Sequence, residues 1–128
     1  MNRREAREKA LQTLFQLDHS EDLTVDEAIT YVIETDSDAF YEKLVRGTMS
    51  ARNEIDEQLQ TKLENWSLSR LPKVERTVLR LAVFELQYSD ETPDRVVVNE
   101  AIELSKKFNE EKSGKFVNGV LSKFLSNE

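Results

Sequence analysis

Apolar residues recur every three or four positions along nearly the whole chain, and this spacing predicts helices almost throughout. Ala6, Ala10, Leu14 and Leu17 form one stripe, widened by Leu11 and Phe15. Thr24 and Glu27 have the spacing of a capping box, in which each side chain closes an open amide of a helix start. Val25, Ile29, Val32 and Ile33 follow on one face. A restart at Asp36 or Ser37 leads into Phe40, Leu44, Thr48, Ile55, Leu59 and Leu63, which trace one longer helix. Pro72 suits a first helical turn, where its missing amide costs nothing.

The stretch from Val74 to Leu86 is apolar on almost every side and belongs in the middle of a bundle. Residues 90–94, with Pro93, read as a loop. Val96-Val97-Val98 is the one strand-like patch, yet Val98, Ile102 and the run from Leu104 to Phe108 continue in helical register. Ser113-Gly114 then opens a last amphipathic helix carrying Phe116, Val117, Val120, Leu121, Phe124 and Leu125, with Gly119 placed for a close helix approach. The expectation is an all-α bundle of six or seven helices around one core, with residues 1–128 a single domain.

Composition narrows the class. At 128 residues the chain can bury about two thirds of its unfolded surface, so it needs no staple. It has no cysteine, which excludes disulfides and thiolate ligands and fits a reducing cytoplasm. The charged stretch from Met1 to Lys9 does not resemble a signal peptide, and no apolar run is long enough for a membrane span.

The net charge of −7 argues against nucleic acid until its distribution is considered. Residues 1–17 carry four basic and two acidic side chains, residues 18–64 four and thirteen, and residues 65–128 ten of each. Basic character is therefore confined to the N-terminus and to local clusters.

At about 100° per residue, Arg3 and Arg7 fall in the sector of Ala6, Ala10 and Leu14, and Arg4 falls near Leu11 and Phe15. The arginines extend the apolar stripe while sitting where the helix dipole disfavours cations. Arginine suits RNA because its planar fork pairs with phosphate and stacks on bases. The plainer reading is a solvated helix start whose arginine stems cover the core edge. Four basic residues (Arg3, Arg4, Arg7 and Lys9) give a salt slope of only about −3 on single-stranded RNA, so a partner or second patch is expected.

Lys106, Lys107, Lys112 and Lys115 cluster around Phe108 and Phe116. Aromatic rings beside lysines offer base-stacking surface, and the helix start at Ser113-Gly114 offers amides to a phosphate. Phe116 shares the stripe of Val120 and Leu121 and also reads as core; Phe108, at a helix end, is the better stacking candidate. His19 is the only histidine and reads as a surface residue of an acidic loop. No phosphate-binding glycine loop, EF-hand or nucleophile motif is present, so neither catalysis nor a metal or cofactor is expected.

Four segments together resemble the NusB family of bacterial transcription antitermination factors. They are RREAREKALQTLF at 3–15, LSRLPKVERTVLRLAVFEL at 68–86, NEAIELSKKF at 99–108 and KFVNGVL at 115–121. Between 18 and 64 the likeness is one of helical pattern.

The resemblance implies about seven helices in two packed subdomains. It implies binding of boxA RNA from ribosomal RNA operon transcripts together with NusE, a small-subunit ribosomal protein, within a complex of other Nus factors on RNA polymerase. By the same likeness, Arg3, Arg4 and Arg7 match the family's arginine-rich motif, here interrupted by Glu5. Phe108, Lys112, Lys115 and Phe116 match a second RNA-facing region. Glu75 and Arg76, expected exposed on the polar face of the 72–88 helix, are assigned to the protein partner. A similar domain precedes the catalytic domain of some ribosomal RNA methyltransferases, but these residues hold no glycine-rich methyl-donor site. A purely protein-binding adaptor and an undetected enzyme are the other readings.

Overall fold

The computed structural model describes residues 1–34 and 38–125. Seven α-helices account for most of them: α1 (Arg3–His19), α2 (Val25–Val32), α3 (Ala39–Ser50), α4 (Arg52–Lys62), α5 (Lys73–Tyr88), α6 (Asp94–Phe108) and α7 (Glu111–Ser122). A single 3₁₀ turn, Leu68–Arg70, precedes α5. No described residue lies in a strand, and none of the described helices is long and apolar enough to cross a membrane.

α5 is the axis of the molecule. Its residues from Thr77 to Glu85 are buried without interruption, as the all-round apolar pattern predicts. It packs against α1, α3 and α4 on the one hand and α6 and α7 on the other, while α1 also packs on α2 and α3, and α6 on α7. The apolar core runs continuously from Ala6 to Leu121 through both groups. Gly47 sets the distance between α3 and α5, because a Cβ there would lie 2.1 Å from Cζ of Phe84.

Local signals explain the starts of the first three helices. Thr24 and Glu27 make the capping box in full, at 3.1 and 3.0 Å. Asn2 caps α1 by accepting from the Glu5 amide, and Asp38 caps α3 by accepting from that of Tyr41. The expected restart at Asp36 or Ser37 lies outside the described residues.

Three expectations are corrected. The long helix through residues 40–63 is two helices that meet at Ala51, whose φ of −97° and ψ of 10° turn the axis. The Ala51 amide still donates to Gly47 and its carbonyl still accepts from Ile55, so the apolar spacing passes through the bend in register. α7 begins at Glu111, and Ser113 and Gly114 sit inside its first turn, buried, not at an open end. Gly114, not Gly119, makes the close approach: a Cβ on it would meet Lys106 and Ile102 at 3.0–3.1 Å, whereas one on Gly119 meets nothing.

A network of ion pairs stitches α1, α4 and α5. Asp18 accepts from Arg76 at 2.7 Å and from Arg52 and Arg80 at 3.4 Å, and Arg80 also binds Asp56 at 2.7 and 2.9 Å. Burial alone would raise the pKa of Asp18, but the hydrogen bond and charge of Arg76, then Arg80 and Arg52, hold it below the usual carboxylate range.

Candidate nucleic-acid interface

The three N-terminal arginines leave α1 towards α3, α5 and α6, and each meets a carboxylate of its own molecule. Arg3 donates to Glu91 at 3.0 Å, and its guanidinium carbon lies over the Phe40 ring, 3.9 Å from the centroid. Arg4 forks onto Glu100 at 2.8 and 3.2 Å. Both remain open to solvent, with side chains 54% and 66% exposed. Hydrogen bonds from Lys43 and Arg3 hold Glu91 below the usual carboxylate range, and the fork from Arg4 does the same for Glu100. Each exposed guanidinium therefore has a carboxylate partner within the fold.

Arg7 departs from the expectation of a ligand-facing group. It is only 4% exposed, and its guanidinium donates through Nε and Nη2 to the two oxygens of Glu85, itself 2% exposed. Nη2 also reaches Thr92 at 3.3 Å, in the turn before α6. Its place on the apolar stripe of α1 is the reason: the stripe turns inward, and Arg7 turns with it. Arg7 thus ties α1 to α5 and to the start of α6, and so positions Arg3 and Arg4.

The second cluster is divided by the structure. Phe108 ends α6 and lines a cleft of about 460 Å³ with Leu11, Phe15, Tyr31 and Val74. Phe116 faces another way and meets Trp66 edge-on, with centroids 5.8 Å apart. Lys112 is almost fully exposed and pairs with the neighbouring Glu110. Lys115 is exposed, and no described carboxylate pairs with it. Lys106 is held by Glu111 and Glu103, and Lys107 by Glu8 across to α1.

Glu75 and Arg76 are not the exposed pair that was expected. Glu75 is half-buried and accepts from the Ser113 hydroxyl at 2.7 Å, joining α5 to α7. Arg76 belongs to the Asp18 network, with 12% of its side chain exposed. Both side chains satisfy partners within the fold because the α5 face that carries them is covered by α1 and α7. His19 is exposed, as expected, but closes α1 with its Nδ1 3.0 Å from Lys73 Nζ.

Sequence reasoning missed the carboxylates that hold the arginines, and it missed Trp66. Glu85 carried a signal, being the one charged residue between Leu81 and Leu86, a position that calls for a buried cation. Trp66 is the only tryptophan of the chain and stands in a polar segment. Glu91 and Glu100 carried none, since nothing in the spacing pairs them with residues some ninety positions away.

The NusB family model matches residues 4–126. The transcription antitermination protein NusB of Lysinibacillus sphaericus is 62% identical over the whole of both chains, and that of Exiguobacterium sp. is 51% identical, again over the whole of both. Among solved structures, T. maritima NusB superposes with a TM-score of 0.88 at 36% identity, covering 96% of this chain and 89% of its own. A crystal structure of antitermination factors NusB and NusE in complex with double-stranded RNA matches with a TM-score of 0.86 at 35% identity, covering 94% of this chain and 93% of that one.

Proposed function

This chain belongs to the NusB family, and on that premise we propose that it binds boxA RNA of ribosomal RNA operon transcripts jointly with NusE. The resulting complex recruits the other Nus factors to RNA polymerase in the cytoplasm and suppresses termination. The observation that carries this reading is the likeness, over nearly the whole chain, to a protein solved together with NusE and RNA.

The chemistry of the surface supports a shared task more than a solitary one. Arg3, Arg4, Arg7 and Lys43 face three carboxylates, Glu85, Glu91 and Glu100, and Glu8, Glu103 and Lys107 adjoin Arg4, so the cluster is close to neutral. That leaves too little charge for firm phosphate binding alone. Arg4 uses Nε and Nη2 on Glu100 and, with its side chain 66% exposed, keeps N–H groups available for a phosphate or a base edge. Lys112, Lys115, Phe108 and Phe116 extend the contact, while Arg7 supports it from inside. On this reading NusE takes the open cleft of Phe15, Tyr31 and Val74, which Phe108 borders at the end of α6; Glu75 and Arg76, engaged within the fold, do not line it. Tyr31, 73% exposed, gives that cleft an apolar rim.

The test is a titration of fluorescent boxA RNA against the chain alone and with NusE, beside a scrambled RNA. The expected outcome is boxA binding more than about tenfold tighter with NusE, since two linked sites act at high effective concentration, and a clear preference over the scrambled sequence. Equal binding of both RNAs by the complex contradicts the reading.

A further inference from the structure

Ion pairs cross the groove between α1 and α6 in both directions. Arg4 on α1 forks onto Glu100 on α6, and Lys107 on α6 reaches back to Glu8 on α1 at 2.8 Å. Beside them Arg3 and Lys43 share Glu91, in the turn between α5 and α6, at 3.0 and 3.1 Å. Both helices pack on α5. Over the hollow of about 210 Å³ that Arg4, Glu8, Glu100, Leu104 and Lys107 line, charged side chains span the gap.

The two members of each crossing pair are not equally placed. Arg4 and Lys107 are 66% and 59% exposed, while Glu100 and Glu8 are 16% and 21% exposed. The acids are set into the groove, and the cations lie over them. Surface pairs of this kind contribute little to stability, and Arg7 with Glu85 already ties α1 to α5 from inside. Their effect on binding is larger in consequence. A carboxylate offers a guanidinium the same paired acceptor oxygens that a phosphate does, and one held in the same fold acts at high effective concentration. Glu91 and Glu100 are both kept below the usual carboxylate range by the cations bonded to them, so they stay charged at neutral pH. A phosphate arriving at Arg4 therefore exchanges one acceptor for another; it does not fill an open site.

We propose that Glu8, Glu91 and Glu100 are an autoinhibitory set, standing where phosphates would stand on Lys107, Arg3 and Arg4 and holding the free chain below the affinity at which it captures RNA. This rests on the RNA-binding reading above and adds its regulation. The device sets a threshold and not a sequence preference, because any RNA that takes these cations displaces the same carboxylates. NusE, by adding a linked second site, carries binding over the threshold.

Glu8→Gln, Glu91→Gln and Glu100→Gln together remove the three charges and keep the side-chain shapes. Anisotropy of labelled boxA and scrambled RNA is measured with the chain alone and with saturating NusE, at two salt concentrations. The triple variant should bind both RNAs about tenfold tighter than the parent, roughly twofold for each pair exchanged. The gain should be the same with and without NusE, and should shrink as salt is raised. Glu21→Gln with Asp22→Asn is the control. These acids are exposed in the turn after α1, more than about 20 Å from Arg4 along the helix, and should change affinity less than about twofold. Circular dichroism checks that each variant keeps its helices. If the triple variant does not, Glu91→Gln alone, at a half-exposed position, should still gain about twofold.

RNA affinity that is unchanged or weaker in the folded variant overturns autoinhibition and leaves the RNA-binding function standing. An equal gain in the Glu21→Gln, Asp22→Asn control overturns it too, since net charge would then account for the effect. A gain confined to boxA makes the carboxylates selectors of sequence and overturns the threshold. Absence of RNA binding by the parent and every variant, with and without NusE, removes both readings.

Discussion

The guanidinium of Arg7 on α1 and the carboxylate of Glu85 on α5 meet as a two-pronged pair sealed inside the helical bundle, with side chains 5% and 2% exposed. This pair changes how the N-terminal arginines are to be tested. A buried carboxylate deprived of its cation is costly, so Arg7→Ala is expected to lower stability by about 3–5 kcal/mol. Arg7→Met combined with Glu85→Leu, which removes both charges and keeps the volume, is expected to recover most of that. Denaturant unfolding of the two variants checks it. Any loss of RNA binding on replacing Arg7 therefore reports on folding before it reports on contact.

Arg4 and Glu100 make the same kind of fork at the surface, where it can be tuned without harm to the core. Arg4→Ala is expected to weaken RNA binding severalfold and to reduce the salt slope by about 0.7, the share of one phosphate on a single strand. Glu100→Gln removes a competing charge and is expected to tighten binding. Titrations at several salt concentrations give both slopes; a weaker complex for Glu100→Gln would show that the carboxylate's aim matters more than its charge.

How much of this could be read in the sequence depends on the distance over which each signal acts. The capping box at Thr24 and Glu27 and the central place of α5 follow from neighbours a few positions apart, and both are found in the structure. The bend at Ala51 was hidden because residues on either side keep a common register. The angular placement of Arg7 beside Ala6 and Ala10 was legible, but not its consequence, since Glu85 lies 78 residues away. Phe108 and Phe116 looked like one cluster because eight positions separate them, yet the turn between α6 and α7 sends them to different clefts. Glu75 and Arg76 looked exposed because polar side chains on a helix usually face water, and here the neighbouring helices supply their partners.

Gly47 and Phe84 offer a test of the core. Gly47→Ala drives a methyl group into the outer edge of the Phe84 ring, and overpacking of this kind is expected to cost about 1–3 kcal/mol despite the better helix propensity of alanine. Adding Phe84→Leu makes room and is expected to restore part of the loss. Thermal unfolding of the single and double variants measures it.

Asp18 carries a pH dependence with a definite sign. Its folded pKa is depressed, so the stability it contributes is complete above the ordinary carboxylate value of about 3.9, and is lost as pH falls through that value and on through the lower folded one. Asp18→Asn is expected to cost about 3 kcal/mol at neutral pH, by leaving Arg76 short of its main acceptor, and to flatten the acid limb of the stability curve. Unfolding free energies between neutral pH and pH 3 test both parts.

The most direct measurement is the affinity of the NusE complex for boxA RNA when Arg3 and Arg4 are both replaced by alanine and Arg7 is retained. The account predicts binding weakened more than about tenfold, at roughly two phosphates' worth of salt slope, with helical circular dichroism and unfolding midpoint close to those of the parent. Unchanged affinity in a folded Arg3→Ala, Arg4→Ala complex would contradict it, because the two outward-facing guanidinium groups would then have no part in holding the RNA.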